Sequence, residues 1–154
     1  WELLLGKALA CFVACLFAQA LLYGTGIAFF GVRVAGWQWA ALAMVATSFA
    51  FSGLMALMAG AFRTQGGAQG AGRALLLVLT MIGGGTIPVV FMPPFLRTMS
   101  DISPFKWAVL AAEGATWRAW GAADMWLPLA VLGVVGVVGF AVGAAVVHRT
   151  ARRA

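Results

Sequence analysis

Few side chains here could do chemistry, and they stand far apart. The 154 residues hold 4 Asp and Glu, 1 His and 2 Cys, against 10 Lys and Arg. Cys11 and Cys15 lie one helical turn apart inside an apolar run. Zinc would need more ligands than these two, and His148 is distant. They read as packing residues, because free Cys behaves as a small hydrophobe. No carboxylates pair within an apolar stretch, no His cluster exists, and no Ser stands with a base. Gly6-Lys7 is followed by Ala8, and the glycines between Arg63 and Arg73 precede no Gly-Lys-Ser/Thr, so no phosphate loop is found. The chain is therefore not expected to be an enzyme, nor to bind a metal, nucleotide or other cofactor itself.

What remains is a set of isolated polar groups, whose meaning depends on the solvent around them. Hydrophobic residues make up 64% of the chain and charged residues 9%, whereas a soluble domain carries about 25% charged residues. A small soluble domain leaves much of its surface wet and could not hide so much apolar area. Lipid must be the solvent for most of the chain. Polar groups in hydrocarbon are costly and face protein or a wet cavity. Gln19 and Tyr23 share a face of the first apolar run, which leaves two readings: an interhelical hydrogen bond, or a place lining a translocation path. Glu113 lies between Lys106 and Arg118. Either it dips below the headgroups and pairs with one of them, or it is a solvated acid on an interfacial helix. The net charge of +6 comes from singly scattered basic residues with no dense basic face, so nucleic acid is not an expected partner. His148 and Arg149 read as part of a basic tail that favours anionic headgroups.

The elements that must position these groups follow from the charge-free runs. Spans are expected at about 8–30, 36–61, 74–92 and 125–147, each near the roughly 20 residues a crossing needs. Period-two alternation is absent, so helices, not a barrel, satisfy the backbone in lipid. With four spans both ends share a side, which holds Lys7, Arg63, Arg73, Arg149, Arg152 and Arg153 against Glu2. The other side holds Arg33, Arg97, Lys106 and Arg118 against Asp101, Glu113 and Asp124. Both ends are then expected to be cytoplasmic. Trp37 and Trp39 suit an aromatic belt at the outer interface, and Trp1 one at the inner. The Gly- and Gln-rich stretch Arg63 to Arg73 reads as a flexible turn. Ser48, Ser52, Ala56 and Gly60 on the second span, with Gly139 and Gly143 on the fourth, form small-residue stripes suited to close helix packing.

The third span is irregular. Gly83, Gly84 and Gly85 precede Pro88, Pro93 and Pro94, so the helix should kink or unwind in its outer half. Such backbone is tolerated at membrane depth only beside protein or water. Ser103 and Pro104 make a helix start, with Ser as cap and Pro at the first position. That helix should run to about Trp120, with Gly121 beyond its end. Lys106, Glu113 and Arg118 keep it from crossing, and Trp107, Trp117 and Trp120 suit an interface. Asp124 should cap the last span, with Pro128 in its first turn. The expected fold is an all-α membrane protein: four transmembrane helices plus an extracytoplasmic re-entrant or interfacial helical hairpin at about 93–121.

The string Ile82 to Trp117, IGGGTIPVVFMPPFLRTMSDISPFKWAVLAAEGATW, resembles the C-terminal part of bacterial type-2 ABC exporter permeases. Gly83–Gly85, Pro88, Met92-Pro93, Ser103-Pro104, Trp107, Glu113-Gly114 and Trp117-Arg118 carry the resemblance. WELLLGKALA at the start is similar to the entry into that family's third helix, and SGLMALMAGAFRTQ to the end of its fourth. The resemblance implies the last four helices of a six-helix permease, with the first two, any large extracytoplasmic domain and the cytoplasmic coupling helix preceding Trp1. The start without Met agrees with a fragment. It also implies export across the bacterial inner membrane by a homodimer or heterodimer of permeases, driven by an ABC ATPase subunit that binds ATP and Mg. Gly83, Gly84, Gly85, Pro88, Pro93, Pro104, Glu113 and Arg118 would form the outer gate. Relatives move drugs, lipids, ions and glycans, so substrate stays open. A channel or secondary-transporter half-module, or a non-transporting anchor subunit, are the competing readings.

Overall fold

The computed structural model describes residues 2–61, 65–85 and 92–151. Six helices follow one another: α1 Glu2–Phe30, α2 Trp37–Ala61, α3 Gln65–Ile82, α4 Pro94–Ser100, α5 Pro104–Ala115 and α6 Ala122–Ala151. No strand occurs among the described residues. Three of these helices are long and apolar enough to cross a bilayer, over Gly6–Phe30, Trp37–Gly60 and Ala122–Val146. They match the first, second and fourth expected spans. The third expected span, 74–92, is not one helix. The apolar part of α3, Gly72–Ile82, rises only about 16 Å, roughly half the hydrocarbon thickness.

The bundle is organised on α2, which packs most extensively on α6, then α1, then α5. The α2/α6 crossing is tight because glycines face each other. A Cβ on Gly53 would lie 2.5 Å from the Gly136 carbonyl oxygen, one on Gly139 2.5 Å from the Gly53 carbonyl carbon, and one on Gly143 2.6 Å from the Ala56 oxygen. This extends and shifts the expected stripe. Ala56, Gly60, Gly139 and Gly143 are at the crossing as anticipated, whereas Ser48 and Ser52 are buried with other partners. Gly53 and Gly136 complete the contact. Such small residues let backbones approach where apolar area gives no net drive, since lipid is equally apolar. None of α1 from Gly6 to Phe30 is buried; it lies on the outside of the bundle.

Several boundaries differ from expectation. Residues 65–72 are helical, not a turn, because the nucleus formed by Ala74–Ile82 extends backward at one hydrogen bond per residue fixed. The stretch after Pro93 forms α4, with Pro94 at its first position. α5 ends at Ala115, five residues before Trp120. Its C-terminal carbonyls are taken up by a tight reversal in which the N–H groups of Arg118 and Trp120 donate to the oxygens of Glu113 and Gly114, at 3.1 and 2.9 Å. Ala119 takes a positive φ of 48° to make that turn. α6 begins at Ala122, so Asp124 complements the helix dipole from within the first turn and does not cap. Pro128 accordingly falls inside the helix, where its missing N–H removes one backbone bond.

Candidate functional site

Two arrangements gather the irregular residues. The first is the corner where α3 stops. Gly83 donates to Leu79 O at 2.8 Å, and Gly85 to Thr80 O at 3.0 Å, while Gly84 sits at φ +90°. A left-handed glycine with its successor's N–H bonded five residues back closes a helix end. Of the expected kink or unwinding, the helix takes the second course and ends here. Two of the glycines have distinct reasons: Gly84 needs the positive φ, and a Cβ on Gly83 would lie 2.5 Å from Ser103 Oγ and 2.7 Å from Phe105 Cβ. Ser103 does not cap α5 through its side chain. Its buried hydroxyl instead donates to Leu79 O at 2.6 Å, tying the α4–α5 corner to the last turn of α3. Phe105 stacks edge-on against Phe51 of α2, with centroids 4.6 Å apart. Pro104 is buried at the first position of α5, as expected, and Pro93 precedes α4. Pro88 lies outside the described residues.

The second arrangement is a cleft of about 270 Å³ between the C-terminal third of α1, the α1–α2 loop and α5. The loop is anchored at both ends. Gly31 takes a positive φ of 63°, and the N–H groups of Ala35 and Gly36 donate to Ala115 O at 3.1 and 3.4 Å. That carbonyl belongs to the C-terminus of α5 and would otherwise lack a partner. Tyr23 and Val32 line one wall; Val109, Ala112, Glu113 and Thr116 line the other. The walls are almost wholly apolar apart from the Glu113 carboxylate and the Thr116 hydroxyl, which donates back to Ala112 O at 2.8 Å. Trp117, largely exposed, completes the lining.

The ionisable residues of α5 pair locally. Glu113 Oε2 accepts from Arg118 Nε at 2.8 Å, with the side chains 22% and 38% exposed respectively. Arg118 also lies over the Trp120 ring, 5.4 Å from its centroid. Lys106 is taken by Asp101, and Trp107 Nε1 donates to Asp101 O at 2.9 Å. Glu113 thus has Arg118, one of its two expected partners, while part of its side chain remains exposed.

Gln19 and Tyr23 separate in role. Gln19 Nε2 donates to Ser48 Oγ at 3.0 Å, joining α1 to α2, and it does not line the cleft. Tyr23 lines the cleft, and its hydroxyl is buried without a partner among the described residues. Sequence reasoning missed the Ser103–Leu79 tie, which joins residues 24 apart and has no local signal. It also missed the cleft face of α5, although Val109, Ala112, Glu113 and Thr116 follow the three- and four-residue spacing of one helix face.

These features define a helical, multi-pass integral membrane protein. The family model for the ABC-2 type transporter matches residues 1–117, from α1 through α5, and the chain belongs to that family. It is accordingly membrane-domain, permease material of an ABC transporter and not the nucleotide-hydrolysing part. Neither the curated proteins nor the solved structures include a match to this chain.

Proposed function

We propose that this chain forms the translocation part of an exporter powered by a separate ABC ATPase subunit, which holds the ATP and Mg, and that it works by alternating access. The observation that carries this reading is the corner at Gly83–Ser103. There α3 ends in a closed cap, and the corner between α4 and α5 is fastened to it through a side-chain hydrogen bond. A helix that ends beside a corner held by such a tie can take two discrete arrangements, as a gate needs. Gly83, Gly84 and Gly85 with Pro88, Pro93 and Pro104 then form the gate backbone, and Glu113 with Arg118 its ionic edge. Tyr23 fits the path lining; Gln19 serves as a helix-pairing residue. ATP shifts such an equilibrium only through different affinities for the two states, which the ATPase supplies by dimerising against a pair of permeases. Both ends of the chain face the cytoplasm in this reading, which requires a fourth crossing to be completed after α3 ends.

The test is purification of the full-length permease from its native membrane. An ABC ATPase should co-purify, and its hydrolysis rate should change when Gly83→Val jams the corner. Absence of an ATPase, with passage driven by an ion gradient alone, would move the chain to the secondary transporters or channels.

A further inference from the structure

The cleft between α1 and α5 combines an apolar lining with a carboxylate whose partner is weakly held. Glu113 uses Oε2 for Arg118, and Oε1 has no hydrogen-bond partner among the described residues. Arg118 does not line the cleft, and its guanidinium lies over Trp120 while it pairs with Glu113, so that contact remains when the ion pair opens. The pair is partly exposed, more so at Arg118 than at Glu113, and ion pairs open to solvent contribute little. Trp117 borders the same space with most of its surface exposed, and an aromatic face attracts a cation, quaternary ammonium above all.

We infer that this cleft binds a single-chain amphiphilic organic cation, its hydrocarbon against Tyr23, Val109 and Ala112 and its cationic head on Glu113, with Arg118 as a tethered competitor for the same carboxylate. The sign of the charge follows from the lining: Glu113 is the one acidic or basic side chain in it. An anionic or zwitterionic phosphate head would meet that carboxylate, while the arginine that would suit it lies outside. The head and the chain are both needed, because a hydrophilic cation gains nothing from the apolar wall and a neutral hydrocarbon gains as much from lipid. The binding step involves neither ATP nor the ATPase, so its test is separate from that of the transport reading, although a substrate role for the ligand rests on that reading.

The experiment measures equilibrium binding of radiolabelled decyltrimethylammonium to the full-length permease in lipid nanodiscs, with empty nanodiscs subtracted and decyl sulfate as the same-chain anion. The expected result is saturable binding of the cation and none of the anion. Glu113→Gln should weaken cation binding about tenfold, and Arg118→Gln, by removing the competitor, should tighten it about threefold or more. The two variants pull in opposite directions, so a general loss of folding cannot mimic the pattern. Equal binding of cation and anion, or an unchanged affinity in Glu113→Gln, would overturn the assignment. So would a phospholipid that stays with the wild-type protein on native mass spectrometry and is lost from Glu113→Gln, since the site would then be a lipid site.

Discussion

Replacing Gly139 by Ala should loosen the α2/α6 crossing, and the coordinates fix how much. The new methyl would lie 2.5 Å from the Gly53 carbonyl carbon and 2.6 Å from its oxygen. Both are backbone atoms of a helix and cannot swing aside. Restoring ordinary contact near 3.4 Å requires the two helices to separate by about 0.9 Å along that line. A gap of this size forfeits a quarter to a half of each affected dispersion well, and each pair contributes only about 0.1–0.2 kcal/mol. Over the few tens of atom pairs at a helix crossing, the loss comes to about 2 kcal/mol, within the usual range of about 1–3 kcal/mol for overpacking. Gly133 on the same helix is the control: a Cβ there meets nothing within 4 Å, so Ala should be neutral or gain up to about 1 kcal/mol from helix propensity. Steric trapping of the unfolded state in bicelles would give both values. If Gly139→Ala and Gly133→Ala differ by less than about 0.5 kcal/mol, the crossing is not set by backbone approach, and the reasoning fails.

Three further outcomes follow from single contacts. Gln19→Leu breaks the bond to Ser48 and should cost about 0.6 kcal/mol, the average for hydrogen bonds between membrane helices; a value near zero in the same unfolding assay would mean the bond is not held in lipid. Tyr23→Phe removes a buried hydroxyl without a partner among the described residues, and an unsatisfied group of that kind costs about 1–3 kcal/mol. Thermal unfolding should therefore show Tyr23→Phe as stable as the parent or more so, and a clear loss would reveal a partner beyond the described residues. Ser103→Ala removes the tie to Leu79 but leaves that carbonyl its bond from Gly83, so it should cost about 1 kcal/mol. Gly83→Ala forces a methyl among Ser103, Phe105 and Leu79 and should cost more; the reverse order would argue against the corner as described.

The three long crossings were legible because composition and length decide them: Ala8 to Phe30, Val34 to Phe62 and Met125 to Val147 hold no Asp, Glu, Lys or Arg, and lipid permits little but a helix. The break at Gly83–Gly85 was legible too, since three glycines before a proline are a local signal. Its form was not. Whether glycines make a kink or a closed end depends on what meets the freed carbonyls, and here Ser103 arrives from a separate helix. Ser103 illustrates the general difficulty: its type fits an N-cap, yet a buried acceptor at Leu79 offered its hydroxyl a drier bond. The close packing of Gly53 on Gly136 was hidden for a related reason. Small residues are abundant on both helices, and only the crossing geometry selects which of them touch. Glu113 stood in the sequence between a paired and a solvated acid, and Arg118, one short turn beyond the end of α5, became its partner because the helix ended early.

The most direct test of the central claim follows the α4–α5 corner during the ATP cycle. Spin labels would be placed at Ile102 on the α4–α5 corner and at Phe30 at the end of α1, both well exposed, with Cys11 and Cys15 replaced by serine. Electron–electron double resonance on the full-length permease with its ATPase, in nanodiscs, gives the distance between them. The account predicts a second distance population when ATP and Mg are trapped with vanadate, absent when the ATPase cannot bind nucleotide. One unchanged distance through the whole cycle, or a shift driven by an ion gradient and indifferent to ATP, would contradict it.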